Sequence, residues 1–425
     1  MKRTFLLLLL SVTFWLQLNA AGTLEEFLSE LPVTDIKYLE KEYIYDQILE
    51  VMIEQPLDHN NPNGPKFSQR LYISHIDPGK PMVLVTEGYS AKYYFTSEIA
   101  RELKCNQIIV EHRYFGRSMP DSLDWGKLDT WQAASDHHKI TETFKQFYPA
   151  DWISTGISKG GQSVMFHSFY YPEDIKVKVP YVAPLNYSIE DPRIYTFLNE
   201  VGKRRDRRKI HRFQKMMLKD QEKYLPSFKE FSDNKNYTYD YAGGLEKAYE
   251  YCVLEYSFAF WQWGYVPVSK IPGKSAPPMK AIEHMNKVAG FDYLTDEFII
   301  EYQPFFYQAL TEMGYYGYDL NEFGDYIKHV DNPTFTFTLP ENVETEFDNE
   351  LWKDLENYLC NEAEYFIFIY GEQDTWSATG VFELSADAKS KVFVKEGGSH
   401  RTRINNLPEE EKEEVYTTIR VYLSN

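Results

Sequence analysis

Three polar side chains, far apart along the chain, are of the types that activate an alcohol for acyl transfer. Ser158 stands in Gly156-Ile157-Ser158-Lys159-Gly160, which fits G-x-S-x-G. A strand-like run precedes it and a helix-like run follows, the context a nucleophile elbow requires. Small neighbours let the backbone turn sharply there and push the hydroxyl outward. A serine hydroxyl is a poor nucleophile until a base takes its proton. The expected base is His400, in Glu396-Gly397-Gly398-Ser399-His400, just after a strand-like run ending at Val394. The expected orienting acid is Asp374, in Tyr370-Gly371-Glu372-Gln373-Asp374, after the strand-like Phe366 to Ile369. It would accept the hydrogen bond of the far imidazole nitrogen, fix the tautomer and stabilise the imidazolium. Each residue alone is ordinary. Together, in the order Ser…Asp…His and each at a strand end, they read as a triad. Glu372 is the rival acid. His137, His138 and His167 are rival bases, but they lie in helical patterns where packing or solvation is the commoner role.

The developing oxyanion needs two backbone N–H donors. One is expected from Lys159, the residue after the nucleophile. The other is expected from the turn Glu87-Gly88-Tyr89, with Gly88 permitting close backbone approach and Gly88 and Tyr89 as the candidate donors. A Ser-Lys dyad through Lys159 is disfavoured, because adjacent side chains on a tight turn diverge. This chemistry calls for no metal and no organic cofactor.

These residues must be carried by elements that converge. Gln47 to Glu54 and Phe67 to Ile76 read as a hairpin around the turn-rich Asp58 to Gly64. The run from Leu24 to Ile44 reads as helix and loop. Strands are expected over Pro81–Thr86, Gln107–Glu111, Trp152–Gly156 and Val177–Ala183. Helices are expected over Tyr93–Leu103, about Thr130–Phe147 and Gln162–Tyr171. Apolar strands alternating with helices imply a mostly parallel sheet covered on both faces. The alternation stops from about Tyr187 to Asn349, a stretch helical in pattern and full of aromatics. Strands return at Tyr365–Tyr370 and Lys391–Val394, before a last helix from Pro408 to Leu423. The expected organisation is a first core part (22–186), a helical cap insertion (187–349) and a second core part (350–425). The cap is expected over the carboxyl ends of the strands, where open sheets bind ligands.

The chain has 425 residues, with 34 Tyr and 28 Phe, a composition suited to a large packed core. Its net charge of −19 disfavours nucleic acid and anionic membranes as partners. Lys2 and Arg3, the apolar stretch from Phe5 to about Leu18, and Asn19-Ala20-Ala21-Gly22 read as a secretory signal, residues 1–21. A secreted or periplasmic location follows, without stable membrane insertion after cleavage. An uncleaved anchor is the alternative, against which the stretch is short. Cys105, Cys252 and Cys360 are too sparse for a disulfide framework and are expected to be mostly buried thiols. Lys203 to Lys209 is the one basic run, read as a solvated helix face.

Further segments carry a resemblance. Glu111-His112-Arg113-Tyr114-Phe115-Gly116-Arg117-Ser118 resembles the E-H-R-Y-F/Y-G-x-S segment of the serine peptidases related to lysosomal Pro-X carboxypeptidase and dipeptidyl peptidase II. Gln55-Pro56-Leu57-Asp58-His59 and Phe67-Ser68-Gln69-Arg70 resemble their opening Q-x-L-D-H…F-x-Q-R. Gly371…Asp374-Thr375-Trp376 is similar to their G-x-x-D-P-W, and Gly397-Gly398-Ser399-His400 to their G-x-x-H. Lys at the fourth position of the nucleophile segment looks closer to a bacterial sister family, the secreted tripeptidyl and prolyl-tripeptidyl aminopeptidases. Thr375 departs from the usual Pro, and the cysteine-rich pattern of the lysosomal enzymes is absent. Neither departure touches the triad.

The resemblance implies an α/β-hydrolase fold and a secreted serine exopeptidase that releases N-terminal tripeptides from peptide substrates, in some cases after proline. A helical cap would admit chain ends and exclude folded proteins. The stretch Tyr256 to Trp263 offers Trp261 and Trp263 as walls of an apolar pocket, or as core of the insertion. An aminopeptidase also needs an anion for the substrate ammonium, for which Glu255, Glu301 and Glu312 are candidates. An esterase or lipase would use the same triad, since both perform acyl transfer. A Pro-X carboxypeptidase or dipeptidyl peptidase differs only in which chain end it reads. A catalytically dead binding protein is disfavoured by the intact triad.

Overall fold

Short apolar runs, fully buried along their length, form the centre of one nine-stranded sheet. The computed structural model describes residues 22–424, so the expected signal segment lies outside the described residues. The strands are β1 (Val33–Tyr38), β2 (Gln47–Pro56), β3 (Lys66–His75), β4 (Met82–Thr86), β5 (Asn106–Val110), β6 (Trp152–Ile157), β7 (Val177–Tyr181), β8 (Ile367–Gly371) and β9 (Lys391–Lys395). Their order is β1-β2-β3-β5-β4-β6-β7-β8-β9. Pairing is antiparallel from β1 to β5 and parallel from β5 to β9. Every residue of β4, β5, β7 and β8 is buried, as expected of parallel strands covered on both faces. This crossover order, with helices on both faces, is the α/β-hydrolase fold.

The core-covering helices are α1 (Leu24–Ser29), α2 (Glu98–Leu103), α3 (Thr130–Lys145) and α4 (Lys159–Tyr170). Leu24 and Leu28 of α1 and Ile140 and Phe144 of α3 pack with β2 and β3 on one face. On the other face Ile99 and Ala100 of α2 meet Val415 and Ile419 of the terminal helix. Between β7 and β8 come seven α-helices, the first six being α5 (Pro192–Glu200), α6 (Arg204–Lys219), α7 (Gln221–Lys235), α8 (Leu245–Trp263), α9 (Pro278–Ala289) and α10 (Asp296–Gln308). α11 (Leu351–Asn357) leads back to β8, and α12 (Glu409–Ser424) ends the described chain. The apolar core of this helical segment is continuous with α4 and with Phe366, Phe368 and Tyr370 of the sheet.

Two readings change. The stretch expected to be helix and loop contains α1 and then the edge strand β1. Five of the six β1 residues are exposed, so no apolar alternation betrays it. Helix α4 begins at Lys159 rather than Gln162. Gly160 and Gly161 weaken helix propensity, yet packing requires them: a Cβ on Gly160 would collide with the Thr86 carbonyl, and one on Gly161 with the Ala183 methyl. In the basic run at the start of α6, Arg207 donates to the carbonyls of Glu200, Val201 and Gly202 at 2.7, 2.8 and 2.9 Å. It thereby satisfies the C-terminal end of α5.

Candidate active site

Ser158 occupies the turn between β6 and α4 with φ 55° and ψ −120°. A non-glycine residue at positive φ is strained and persists only where its surroundings over-determine it. Here its N–H donates to the Tyr181 carbonyl of β7 at 2.8 Å, and its own carbonyl accepts from Gln162 at 2.9 Å. The Thr86 hydroxyl donates to the Gly160 carbonyl at 2.8 Å. A side chain on Gly156 would run into the Gly160 carbonyl, so β6 and α4 cross backbone to backbone. The hydroxyl sits at the N-terminus of the 12-residue α4, where the helix dipole favours negative charge.

Asp374 follows β8 and is fully buried. Its Oδ2 lies 2.8 Å from His400 Nδ1. An ionised carboxylate only accepts, so Nδ1 is the donor in this contact. Asp374 also accepts from the Trp376 N–H at 3.2 Å and the Ser377 hydroxyl at 3.3 Å. A Cβ on Gly371 would collide with the backbone of Gly398 and Ser399, so the acid and base loops cross in contact. The rival acid Glu372 is exposed and accepts from the Gly397 N–H at 2.7 Å instead. The rival histidines gather elsewhere: Asp174 Oδ2 lies 2.8 Å from His138 Nδ1 and 2.9 Å from His167 Nε2, with the His137 ring 5.6 Å from that of His167.

Ser158 and His400 line one cavity of about 720 Å³. The core contributes Glu87, Tyr89 and Lys159. Helix α8 roofs it with Glu255, Phe258, Gln262 and Trp263, and Phe305 of α10 and Tyr315 and Tyr316 add aromatic walls. Helix α8 is tied directly to the loops of His400 and Asp374. Its Gln262 carbonyl accepts from the His400 N–H at 2.7 Å, and its Phe258 carbonyl accepts from the Thr375 hydroxyl at 2.9 Å. The threonine that stands in place of proline thus gains a bond a proline cannot make. The Trp263 ring stands edge-on to the imidazole, with centroids 5.5 Å apart.

Of the expected substrate contacts, Glu255 and Trp263 line this cavity and the others do not. Trp261 is buried against Gly202 and lines a separate cavity in the helical segment, because it points off the opposite side of α8. Glu312 accepts from the Thr130 N–H at 2.6 Å and so caps the start of α3. Glu301 is exposed and pairs with Lys92 at 2.6 Å. Glu255 is buried and accepts from the hydroxyls of Tyr316 and Tyr318 at 2.9 and 2.8 Å. Burial pushes its carboxyl up to about 8, against the lowering effect of the two tyrosines. Glu87, expected only as part of the turn, also faces the cavity, and burial raises its carboxyl to about 7. Nothing in its local sequence signals that exposure to the site.

The segments Gln55–His59, Phe67–Arg70 and Glu111–Ser118, which carry part of the resemblance, form a second polar cluster, apart from the cavity. Arg113 makes two bonds of 2.7 Å to Asp136. His59 Nε2 lies 2.8 Å from the same carboxylate, and Phe67 lies under the guanidinium at 5.3 Å. Glu111 pairs with Arg70 and accepts from the N–H groups of Ala91, Arg117 and Ser118, each at 2.9 Å. These residues knit β2, β3, the loop after β5 and α3 together. They are framework rather than chemistry.

The chain is similar to several known proteins. Prolyl tri/tetrapeptidyl aminopeptidase of Streptomyces mobaraensis is 28% identical over 389 residues, covering 90% of this chain and 81% of that one. Serine protease vicPb of Bipolaris victoriae is 33% identical over 90 residues, 18% of this chain and 17% of that one. Among solved structures, the proline iminopeptidase of Mycobacterium smegmatis aligns over 88% of this chain and 98% of its own, at 11% identity and a TM-score of 0.38. The 2-hydroxy-6-oxo-6-phenylhexa-2,4-dienoate hydrolase of Rhodococcus sp. strain RHA1 aligns over 88% and 99%, at 11% identity and a TM-score of 0.41. Residues 23–422 match PS-10 peptidase S37. The chain belongs to the S37 family of serine peptidases.

Proposed function

We propose that this serine peptidase releases short N-terminal peptides, chiefly tripeptides, with Ser158, His400 and Asp374 as its triad and with proline accepted before the scissile bond. The observation that carries the reading is the 2.8 Å contact between His400 and Asp374, on the cavity that Ser158 also lines. His400 Nε2 takes the Ser158 proton as the hydroxyl attacks the scissile carbonyl. The charge that develops is met by the N–H groups of Lys159 and of the Gly88–Tyr89 turn. His400 then gives its proton to the leaving amine, and water repeats the cycle to release the acyl fragment.

Glu255 is the acceptor for the substrate ammonium. It is the cavity carboxylate held by two tyrosine hydroxyls, and no lysine or arginine among the described residues pairs with it. The aromatic walls suit a proline ring, and Trp263 borders the reacting imidazole. The helical segment 187–349 serves as the cap that excludes folded proteins. The specificity draws on likeness to the Streptomyces enzyme, whose name specifies tri- and tetrapeptides and proline. Export through residues 1–21 is part of the same proposal; no helix of the described residues is long and apolar enough to cross a membrane. Sequencing the N-terminus of the protein as its host releases it tests this, and an intact Met1 on cell-bound protein would refute it.

Mass spectrometry of products from a library of free and N-acetylated peptides, with and without proline at the third position, tests the specificity. The expected result is tripeptide release from free N-termini and none from acetylated ones. Turnover of esters without any amide cleavage would replace the reading with an esterase.

A further inference from the structure

The Lys159 amine is a buried ionisable group beside the site that this mechanism leaves unused. Its residue is 2% exposed, although lysine is rarely buried without a paired carboxylate. Nζ donates to the Gly88 carbonyl at 2.7 Å and lies 5.6 and 5.3 Å from the ring centroids of Tyr89 and Phe115. Burial alone pushes the ammonium well below its ordinary range, with no carboxylate opposing it. Sequence position places this residue beside the nucleophile, and packing seats its amine against the Gly88 carbonyl.

The identity of the acceptor sets the consequence. The Gly88 carbonyl and the Tyr89 N–H belong to one trans peptide plane and therefore point in opposite directions. A donor that holds the carbonyl on the buried side aims the N–H to the other side. The Tyr89 N–H has no protein acceptor among the described residues, and Tyr89 lines the Ser158 cavity. Gly88 also sits directly on the start of α4, where a Cβ would stand 2.6 Å from the Lys159 Cβ. The turn and the first turn of α4 are thus fastened together twice, by contact and by the hydrogen bond.

We propose that the Lys159 side chain is a positioning residue that anchors the Gly88 carbonyl and so holds the Tyr89 N–H as an oxyanion donor beside the Lys159 N–H. This deepens the peptidase reading above and rests on it. One residue then supplies one donor from its backbone and orients the other through its side chain. No proton transfer is asked of the amine. A lysine at the fourth position of G-x-S-x-G has a role there that an apolar side chain of similar length cannot fill.

The test compares Lys159→Met, which keeps length and packing but removes the donor, with Lys159→Gln, which keeps a donor on a shorter stem. Fluorophosphonate labelling of wild-type Ser158 comes first. Each variant is then measured for kcat and KM on a free tripeptide anilide, and for inhibition by the tripeptide product and by a peptidyl boronic acid. The boronate adduct places an oxygen where the oxyanion forms. Loss of one oxyanion donor lowers kcat by about 10²–10³, so Lys159→Met is expected to fall by about 10² in kcat. Its KM and product inhibition should stay near wild type, and its boronate affinity should fall in step with kcat/KM. Lys159→Gln should recover part of the loss, and it decides alone if Lys159→Met does not fold. Near-normal kcat in folded Lys159→Met overturns the proposal, and for Lys159→Gln read alone a loss of kcat that boronate affinity does not share overturns it. So does an equal loss of product and boronate affinity, the mark of a collapsed cavity. A wild-type protein that takes no label at Ser158 overturns the peptidase reading itself, which is a separate outcome.

Discussion

At the scale of single residues, each proposed role predicts a different kinetic signature. Ser158→Ala removes the nucleophile and should lower kcat by something on the order of 10⁶, read by turnover of a tripeptide anilide. Asp374→Asn leaves the His400 contact in place but favours the wrong tautomer, and should cost about 10⁴ in kcat with little change in KM. Glu255→Gln should act on KM instead. A hydrogen bond to a charged group contributes about 1.5–3 kcal/mol, so KM for free N-termini should rise about tenfold to a hundredfold. N-acetylated substrates should show no such change. The pH dependence has a definite sign. Glu255 is neutral below its raised value of about 8, and a substrate α-amine loses its proton above about 8. The ion pair forms best where the two ranges meet. Wild-type kcat/KM for free peptides should therefore peak near pH 8, and the Glu255→Gln variant should lose the rising limb.

At the scale of elements, the site depends on two backbone crossings that tolerate no side chain. One is β6 against the start of α4, at Gly156 and Gly160. The other is the loop after β8 against the loop after β9, at Gly371 and Gly398. Gly156→Ala forces a methyl into the Gly160 carbonyl and should cost about 1–3 kcal/mol, as overpacking does. It should also abolish fluorophosphonate labelling in whatever protein folds, because the elbow cannot keep its φ. Helix α8 contributes differently. It carries Glu255 and Trp263 into the cavity and, through Gln262 and Phe258, holds the loops of His400 and Thr375. A shift of this helix would therefore move the substrate site and the base together.

At the scale of the whole molecule, the framework cluster and the cavity divide stability from activity. Asp136→Asn leaves the Arg113 guanidinium buried without its countercharge, and breaking such a pair costs about 3–5 kcal/mol. Urea unfolding should show that loss, while kcat of the folded fraction stays near wild type, since neither residue lines the cavity. Glu255 shows the opposite balance. Its folded-state value of about 8 stands above the ordinary 4.5, so the unfolded chain releases the proton first. Its contribution to stability is full below about pH 4.5 and is lost as pH rises to about 8. Glu255→Gln removes that dependence. Its melting temperature should exceed that of wild type above pH 8 and match it near pH 4, while kcat/KM for free peptides falls most near pH 8.

The peptidase class and most of the sheet were legible in the residues alone. The elbow pattern, the Ser…Asp…His order and the apolar runs from β2 to β9 are local signals, because strands buried on both faces must be apolar and sharp turns need glycine. The choice of Asp374 over Glu372 was not legible, since both follow β8 and only the fold sets Asp374 against His400. Nor was the exposed edge strand β1, since a strand that buries almost nothing leaves no pattern. Tertiary structure alone decided which aromatics and carboxylates meet the site. Trp261 and Trp263 lie two positions apart on one helix and so face different cavities, while Glu255, Glu301 and Glu312 are chemically alike. Only the path of α8 and α10 over the sheet separates a buried acid held by two tyrosines from a surface ion pair and a helix cap. The same holds for Lys159, whose residue type was plain from the chain but whose partner, the Gly88 carbonyl, exists only once β4 and α4 are packed side by side.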